Sequence, residues 1–203
     1  MIKEQFFPTT IYAKDIKIDN DLLANYIINW SKTDKGVNKT NKNGWHSDNI
    51  KDTQTEFTPL VTELYNMQKE IYQEEYLERK PVIGNIWANL NPTGGYNKPH
   101  IHPNALWSGV YYVKGSEKSG NLICSDPRPG VQMIMPARKK TQLPKHLWNE
   151  CHLAPLVGRI IMFPAWLWHE VQPNNSEDIR ISISGNITIG KKEEYLLVKL
   201  VEQ

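Results

Sequence analysis

The sequence predicts an α+β fold in which two N-terminal helices support a jelly roll of short antiparallel strands. Two observations predict it: apolar residues recur at helical spacing in the first 80 residues, and they alternate with a period of two from Val82 onward. Turn-forming runs such as Asn91-Pro-Thr-Gly-Gly95 and Asp126-Pro-Arg-Pro-Gly130 separate the strand candidates. Many short strands of this kind form two stacked sheets, the double-stranded β-helix of cupin-like barrels.

Two amphipathic segments predict the helices. The first helix should begin at the cap Asp19-Asn20-Asp21. Its apolar stripe comprises Leu22, Leu23, Tyr26, Ile27 and Trp30. The second helix should begin with Thr58 as its cap and Pro59 in its first turn. Its apolar stripe comprises Leu60, Leu64, Met67 and Ile71. The polar segment 33–43 between the helices is expected to be a loop.

The strand candidate at 82–91 has two unlike faces. Its even-numbered residues are aliphatic or glycine, whereas its odd-numbered residues include Trp87, Asn89 and Asn91. Successive side chains of a strand point to opposite faces, so one face suits the protein core and the other a polar cavity inside the barrel. The remaining strand candidates are 106–114, 121–125, 158–163, 169–172 and 181–189.

Length and composition favour one soluble domain. The 203 residues are expected to divide into a mainly helical support (1–80), a jelly-roll core (81–190) and a C-terminal extension (191–203). Lys and Arg number 24 against 22 Asp and Glu, so the charge gives no reason to expect nucleic acid or a membrane as partner. The N-terminus lacks a signal peptide's hydrophobic stretch, so we expect a cytoplasmic protein with Cys124 and Cys151 reduced and contributing to packing. The oligomeric state stays open, a homodimer included.

Three histidines are the candidate metal ligands. His100 and His102 are two positions apart, so both point to one face if they lie on a regular strand, and His169 must come from a distant strand. Three imidazoles that meet in space hold a divalent metal and leave its other face open for chemistry. Isolated histidines are more often surface or core residues, so the pair by itself leaves both interpretations open.

Arg180 and Ser182 form a candidate anion site. They follow His169 after a turn, and the flanking Ile181 and Ile183 indicate a buried strand. A guanidinium grips a carboxylate through two parallel hydrogen bonds, and a buried arginine without a partner is costly. The pair therefore indicates a carboxylate ligand near the histidines.

A family resemblance appears in these residues. The run Gly158-Arg-Ile-Ile-Met-Phe-Pro-Ala-Trp-Leu-Trp-His-Glu-Val-Gln-Pro173, followed by Arg180-Ile-Ser182, resembles the distal half of iron(II)- and 2-oxoglutarate-dependent oxygenases. The resemblance implies that His100, His102 and His169 bind iron(II), and that Arg180 and Ser182 bind the far carboxylate of 2-oxoglutarate. Ser108-Gly-Val-Tyr-Tyr-Val113 resembles a strand of prolyl hydroxylase-like members, which implies that Tyr112 contacts the same carboxylate.

Most of the chain also resembles a group of 2-oxoglutarate oxygenases from marine bacteria and their phages. The shared features include Gly44-Trp45, Pro99-His-Ile-His-Pro103 and Asp126-Pro-Arg128. The resemblance to the superfamily implies a dioxygenase that hydroxylates its substrate with dioxygen and releases succinate and carbon dioxide. The prolyl hydroxylase-like motifs favour a peptide or protein side chain as the substrate, and a small metabolite or nucleotide stays open. The resemblance to the marine group does not identify the substrate.

The chain departs from the superfamily at one metal ligand, because His102 stands where an aspartate or glutamate is usual. A third neutral imidazole leaves the centre one unit more positive, which should tighten binding of an anionic co-substrate. Halogenating relatives carry a small residue at this position, so the histidine argues against halogenation. Asp126 stays open as a carboxylate from elsewhere in the chain, whereas Glu170 adjoins His169 and should face the opposite way.

The remaining candidates are substrate-binding residues and alternative functions. Trp87, Trp107, Asp126 and Arg128 are expected near the substrate, and the loop 129–145 is expected to frame the entrance. Asn89 and Asn91 share the inward face with Trp87, and an amide there is expected to bond the co-substrate carboxylate or a ligating histidine, or to satisfy a neighbouring backbone group. A cupin-type metal enzyme that does not use 2-oxoglutarate would share the three histidines but would need a nearby glutamate and no Arg180. A non-catalytic jelly-roll binding protein is the third alternative.

Overall fold

A computed structural model describes residues 1–78, 81–129, 133 and 136–189 of the chain. The helices are α1 (Asn20–Thr33) and α2 (Thr58–Glu74), with short 3-10 turns at Thr55–Phe57 and Lys145–Leu147. The strands are β1 (Tyr12–Asp15), β2 (Asn41–Lys42), β3 (Trp45–His46), β4 (Pro81–Asn91), β5 (Tyr96–His100), β6 (Trp107–Lys114), β7 (Leu122–Ser125), β8 (Glu150–Leu153), β9 (Arg159–Pro164), β10 (His169–Val171) and β11 (Arg180–Ile189). The predicted C-terminal extension, 191–203, lies outside the described residues.

The strands form two antiparallel sheets, which confirms the predicted jelly roll with helical support. The large sheet has the order β1-β9-β6-β11-β4-β3, and the small sheet has the order β2-β5-β10-β7-β8. The most extensive strand pairings are those of β11 with β4 on one side and with β6 on the other, in the middle of the large sheet. No helix among the described residues has the length and apolar character needed to cross a membrane.

The large sheet buries its two faces differently. One face packs against the helices with Ile86, Ala88, Tyr111, Val113, Ile181 and Ile183. The other face lines a cavity between the sheets with residues that include Trp87, Asn89, Tyr112 and Ser182. The alternation along β4 therefore confirms the predicted separation of an aliphatic face from an amide-bearing face.

Both helices lie where the apolar spacing predicts them, with small differences at their starts. Asp19 caps α1 by accepting a hydrogen bond from the Leu22 backbone N–H at 2.9 Å. Leu22 itself is 49% exposed, so its place on the apolar stripe was wrong, whereas Leu23 and Ile27 are buried. Helix α2 begins one residue earlier than predicted, with Phe57 as its cap residue and Thr58 inside the helix.

Several strands lack a sequence signal and were not predicted. The first 80 residues contain β1, β2 and β3 besides the helices, so this part of the chain is less helical than expected. The segment 33–43 ends in β2, which pairs with β5 beside the histidines. Cys124 and Cys151 lie opposite each other on β7 and β8 as free thiols.

Candidate active site

Three histidines meet at the open end of the small sheet. His100, the last residue of β5, lies directly opposite His169, the first residue of β10. His102 lies beyond the end of β5, so the expectation of a regular strand through both residues was wrong. A backbone hydrogen bond from His102 N–H to the Ala165 oxygen, at 2.9 Å, holds it there instead. One ligand atom from each imidazole lies within 4.8 Å of the other two.

Backbone carbonyls fix the tautomers of two of these imidazoles. His100 Nδ1 is 2.7 Å from the Lys98 oxygen, and His169 Nδ1 is 2.8 Å from the Leu167 oxygen. A carbonyl only accepts hydrogen bonds, so each Nδ1 carries the proton and each Nε2 presents its lone pair. Such support of the far ring nitrogen is usual for metal-binding histidines.

The spacing of the nitrogens suits a metal ion. His102 Nε2 and His169 Nε2 are 3.2 Å apart. Two nitrogens bound at about 2.1 Å to one metal are separated by roughly 3.0 Å at a right angle and by roughly 3.4 Å at a tetrahedral angle. The three imidazoles therefore fit a shared divalent cation.

Burial keeps the imidazoles neutral and able to bind a metal. Burial, with a smaller contribution from the neighbouring histidines, lowers the pKa of His169 to about 3 and that of His102 to about 4. The pKa of His100 is also lowered, chiefly by burial. Phe163 packs against the His169 ring with centroids 4.6 Å apart, and Trp87 lies 5.8 Å from the His102 ring. The ligand set is thus desolvated and walled by aromatic rings.

No carboxylate in the described part of the chain joins the three histidines. Asp126 instead accepts hydrogen bonds from Arg128, at 2.9 Å from Nε and 2.5 Å from Nη2. That contact holds the pKa of the Asp126 carboxyl below its usual range. The geometry therefore offers three neutral ligands and assigns Asp126 to a different contact.

The inner cavity, of about 50 Å³, connects the histidines to Arg180. Its wall is built in rows across the large sheet, because Arg180 lies opposite Asn91, and Ser182 lies opposite both Asn89 and Tyr112. The other lining residues are Trp87, Asn97, His100, His102, Ser108, Gly109, Val110, Leu122, Phe163, His169, Val171 and Ser184. Arg180 and Asn91 form what we call the cavity floor, and the histidines lie at its mouth.

Arg180 is a buried cation without a carboxylate partner in the described residues. Its exposure is 1%, and its Nη1 donates to the carbonyl oxygens of Ser119 and Gln172. Its Nη2 donates to the Gly95 oxygen at 3.4 Å. Burial lowers the pKa of Arg180 to about 10, so the guanidinium stays charged at neutral pH. Nε–H and one Nη2–H are left, and these form the edge that grips a carboxylate side-on.

Three other predicted binding residues lie beside Arg180 on the cavity wall. Asn89 Nδ2 donates to Ser184 Oγ at 3.3 Å. Tyr112 is buried, which raises the pKa of its phenol, so its hydroxyl remains a hydrogen-bond donor. Ser182 is 7% exposed on the same row. The side chains of Asn89, Tyr112 and Ser182 thus line the same cavity as Arg180, and their role in binding stays a prediction.

The four predicted substrate residues do not lie together. Trp87 lines the inner cavity and stacks on His46, with ring centroids 5.4 Å apart and planes 8° from parallel. Trp107 lines neither the inner cavity nor the cavity beside Asp126 and Arg128. It packs on the helix side of the sheet, with its ring centroid 5.5 Å from that of Tyr12. The structure therefore corrects its expected place near the substrate.

Asp126 and Arg128 line a second, outer cavity of about 350 Å³. Trp168 and Glu170 share this cavity, and His169 lines both the inner and the outer one. The loop 129–145 is only partly within the described residues, so its expected role at the entrance stays a prediction. His46 is the neighbour of the site that sequence analysis missed, since an isolated histidine in a short strand gives no signal.

Comparison with known proteins gives one family match. Residues 85–186 match the profile of a family described as "Putative 2OG-Fe(II) oxygenase". The match covers about half of the chain and includes the three histidines, Arg180 and Ser182. No curated protein sequence matches the chain.

Solved structures share the fold at low sequence identity. A Pseudomonas putida prolyl-4-hydroxylase is 16% identical with a TM-score of 0.63, over 90% of this chain and 94% of that chain. A Trichoplax adhaerens prolyl hydroxylase, in complex with a hypoxia inducible factor oxygen degradation domain peptide fragment, is 10% identical with a TM-score of 0.64, over 88% and 83%. HygX from Streptomyces hygroscopicus, with nickel and 2-oxoglutarate bound, is 8% identical with a TM-score of 0.60, over 93% and 85%.

Proposed function

Because the chain belongs to the 2OG-Fe(II) oxygenase family, we propose that it hydroxylates an organic substrate at a centre formed by His100, His102 and His169. The enzyme depends on iron(II) and 2-oxoglutarate, as the family does. One observation carries the proposal of how it binds them: Arg180, a fully buried cation, lines the same cavity as the three histidines.

The histidines are the proposed iron ligands. Bound iron(II) and 2-oxoglutarate supply the oxidation, in which dioxygen is consumed, succinate and carbon dioxide are released, and a substrate C–H bond becomes C–OH. The backbone bonds at Nδ1 aim the lone pairs of His100 and His169, and burial keeps these lone pairs free of protons. Phe163 and Trp87 exclude water from two sides of the ligand set.

Arg180 is the proposed anchor of the distal carboxylate of 2-oxoglutarate. A buried charge without a partner costs several kcal/mol, so the cavity floor suits an anion that supplies the missing charge. The carbonyl oxygens at Nη1 hold the guanidinium rigidly and leave its side-on edge unused. Ser182, Tyr112 and Asn89 lie on the next row and offer neutral hydrogen-bonding groups to the same ligand.

The substrate is proposed to be a peptide or a small molecule that enters past the outer cavity. The Trichoplax adhaerens neighbour is in complex with a peptide fragment, which supports a peptide substrate. Asp126 holds Arg128 by Nε and Nη2, which leaves Nη1 for a ligand. Trp168 is 50% exposed at the same cavity and offers an apolar surface. Location in the cytoplasm and the oligomeric state stay predictions.

Succinate formation tests this function without knowledge of the substrate. Iron-loaded protein is incubated with 2-oxoglutarate in air, and succinate is measured against protein treated with a chelator. We expect slow succinate formation that stops without iron. Arg180→Ala should raise the 2-oxoglutarate concentration for half-maximal rate by at least roughly 30-fold, since removal of one member of a buried charge pair costs about 2–5 kcal/mol.

Arg159→Ala is the matched control. Arg159 lies on β9, does not line the inner cavity, and its Nε is 2.7 Å from Oδ1 of the exposed Asp15 on β1. Thermal unfolding of each variant checks that the fold is retained. Wild-type protein that binds metal but forms no succinate would support the cupin-type or non-catalytic alternative. Unchanged dependence on 2-oxoglutarate in Arg180→Ala would contradict the role of Arg180 as anchor.

A further inference from the structure

Asn91 is held rigidly beside Arg180 on the cavity floor. It is the last residue of β4, lies directly opposite Arg180 on β11, and is 2% exposed. Asn174 Nδ2 donates to the Asn91 backbone oxygen at 3.0 Å, which fixes the end of the strand. Directly opposite residues of an antiparallel pair have Cβ atoms about 4.5–5.5 Å apart. The Asn91 amide is therefore within reach of a ligand that binds Arg180.

The Asn91 amide nitrogen has no bonding partner in the part of the chain that the structure describes. Its Nδ2 is buried and donates no hydrogen bond to any described residue. The other two asparagines of the cavity differ, since Asn89 donates to Ser184 and Asn97 Nδ2 donates to Thr40 Oγ1 at 3.2 Å. An unbonded buried donor costs about 1–3 kcal/mol, and native proteins usually satisfy such a group with a ligand, an ion or water.

Gly44 preserves the space that this amide occupies. A Cβ atom on Gly44 would lie 2.5 Å from Asn91 Nδ2 and 3.1 Å from the Leu90 oxygen. Gly44 is not among the residues with positive φ, so backbone conformation does not require glycine there. The room for the Asn91 side chain is thus the physical reason for a small residue at this turn.

We infer that Asn91 binds the distal carboxylate of 2-oxoglutarate together with Arg180. This inference rests on the proposed function, because it needs that co-substrate in the cavity. The floor offers Nε–H and one Nη2–H from Arg180 and two N–H groups from Asn91, and a carboxylate has about four acceptor sites. The amide oxygen and nitrogen have nearly the same shape, so a half-turn of the side-chain amide presents the N–H groups to the ligand without a change in packing.

Binding measurements on the metal-loaded protein test the inference. The metal is nickel, which does not turn over, and two ligands are compared by calorimetry: 2-oxoglutarate and 2-oxopentanoate. The second compound keeps the keto acid end and carries a methyl group in place of the distal carboxylate. Asn91→Leu keeps the shape of the side chain and removes its donors. We expect it to raise the Kd of 2-oxoglutarate roughly 10- to 100-fold, the effect of one hydrogen bond to a charged group, and to change the Kd of 2-oxopentanoate less than about 2-fold.

Two further variants separate ligand binding from structural damage. Gly44→Ala should weaken 2-oxoglutarate binding although Asn91 itself is not replaced, because the new Cβ atom would displace the Asn91 amide. Asn97→Leu is the matched control, since its amide already bonds Thr40. We expect Asn97→Leu to lower the melting temperature of the ligand-free protein. Asn91→Leu should leave that temperature unchanged or raise it, because it removes an unpaired buried donor.

The outcomes distinguish this inference from the proposed function. Wild-type affinity for 2-oxoglutarate in Asn91→Leu, with a loss in Arg180→Ala, overturns the role of Asn91 alone. An equal loss of affinity for 2-oxoglutarate and 2-oxopentanoate in Asn91→Leu also overturns the role of Asn91, because the effect would then not depend on the distal carboxylate. Failure of the wild-type protein to bind 2-oxoglutarate at all overturns the proposed function on which the inference rests.

Discussion

Replacing His102 with aspartate should weaken the binding of 2-oxoglutarate while a metal stays bound. Aspartate restores the carboxylate that the superfamily carries at this position and lowers the charge of the centre by one unit. The co-substrate is an anion that binds next to this charge, so it loses attraction. Metal affinity is expected to persist, because an anionic oxygen replaces a neutral nitrogen ligand.

The structure sets the scale of this effect. The ligand atoms of the three histidines lie within 4.8 Å of one another. One unit charge acting over that distance, at an effective dielectric constant of about 20, changes the energy by roughly 3.5 kcal/mol. Water that enters the mouth of the cavity reduces the effect, so we expect the Kd of 2-oxoglutarate to rise about 10- to 100-fold.

Calorimetry with nickel-loaded protein measures the change directly. Metal affinity is first determined by competition with a chelator, so that only metal-saturated variants are compared. His102→Glu is a second variant with a longer side chain, in case aspartate does not reach the metal. Unchanged or tighter binding of 2-oxoglutarate in a metal-saturated carboxylate variant would show that the charge of the third ligand does not control the affinity.

Three further predictions concern the ligand set, the sheet and the core. His102→Ala should weaken metal binding by more than about 100-fold, since loss of even a supporting residue of a metal site lowers metal affinity about 10- to 100-fold. Asp126→Asn should change metal affinity by less than about 3-fold. Equal losses of metal affinity in the two variants would indicate that Asp126 is a ligand. Trp107→Phe should leave 2-oxoglutarate turnover unchanged, because Trp107 packs on the helix side of the sheet. A change in succinate yield in a variant of wild-type stability would show that Trp107 contributes to the active site. Leu60→Ala should lower the free energy of unfolding by about 2–5 kcal/mol in urea titrations, because Leu60 is fully buried on α2; a loss below about 1 kcal/mol would contradict its place in the core.

The strand alternation carried more information than any single motif. On β4 it separated the core-facing residues from Trp87, Asn89 and Asn91, and all three line the inner cavity. The same rule could have corrected Trp107. Trp107 and Tyr112 are five positions apart on β6, so they must point to opposite faces, and only one of them can line the cavity.

Other parts of the site depend on contacts that a sequence does not display. Strand β5 reads Tyr-Asn-Lys-Pro-His and has no apolar alternation, because it pairs between β2 and β10 rather than covering the main core. The position of His102 depends on a backbone bond to Ala165, from a turn more than sixty residues away. Arg180 is held by carbonyl oxygens of three separate loops, at Gly95, Ser119 and Gln172. Backbone carbonyls are present at every residue, so no residue type marks such partners.

The charges of the centre explain why neutral donors matter on the cavity floor. With three neutral imidazoles, an iron(II) ion keeps both its positive charges, and Arg180 adds a third within the same cavity. A 2-oxoglutarate dianion compensates two of these three positive charges, so one positive charge remains in excess. A carboxylate in place of His102 would bring the net charge to zero. Attraction alone does not fix orientation, because Coulomb forces have little directional preference, while hydrogen bonds are directional. Charge from the metal and Arg180 therefore sets how strongly the co-substrate is drawn in, and Asn91, Ser182 and Tyr112 add direction without adding charge. Replacing His102 with aspartate should accordingly weaken 2-oxoglutarate and 2-oxopentanoate alike at the metal end, whereas replacing Asn91 with leucine should affect only the ligand that carries the distal carboxylate.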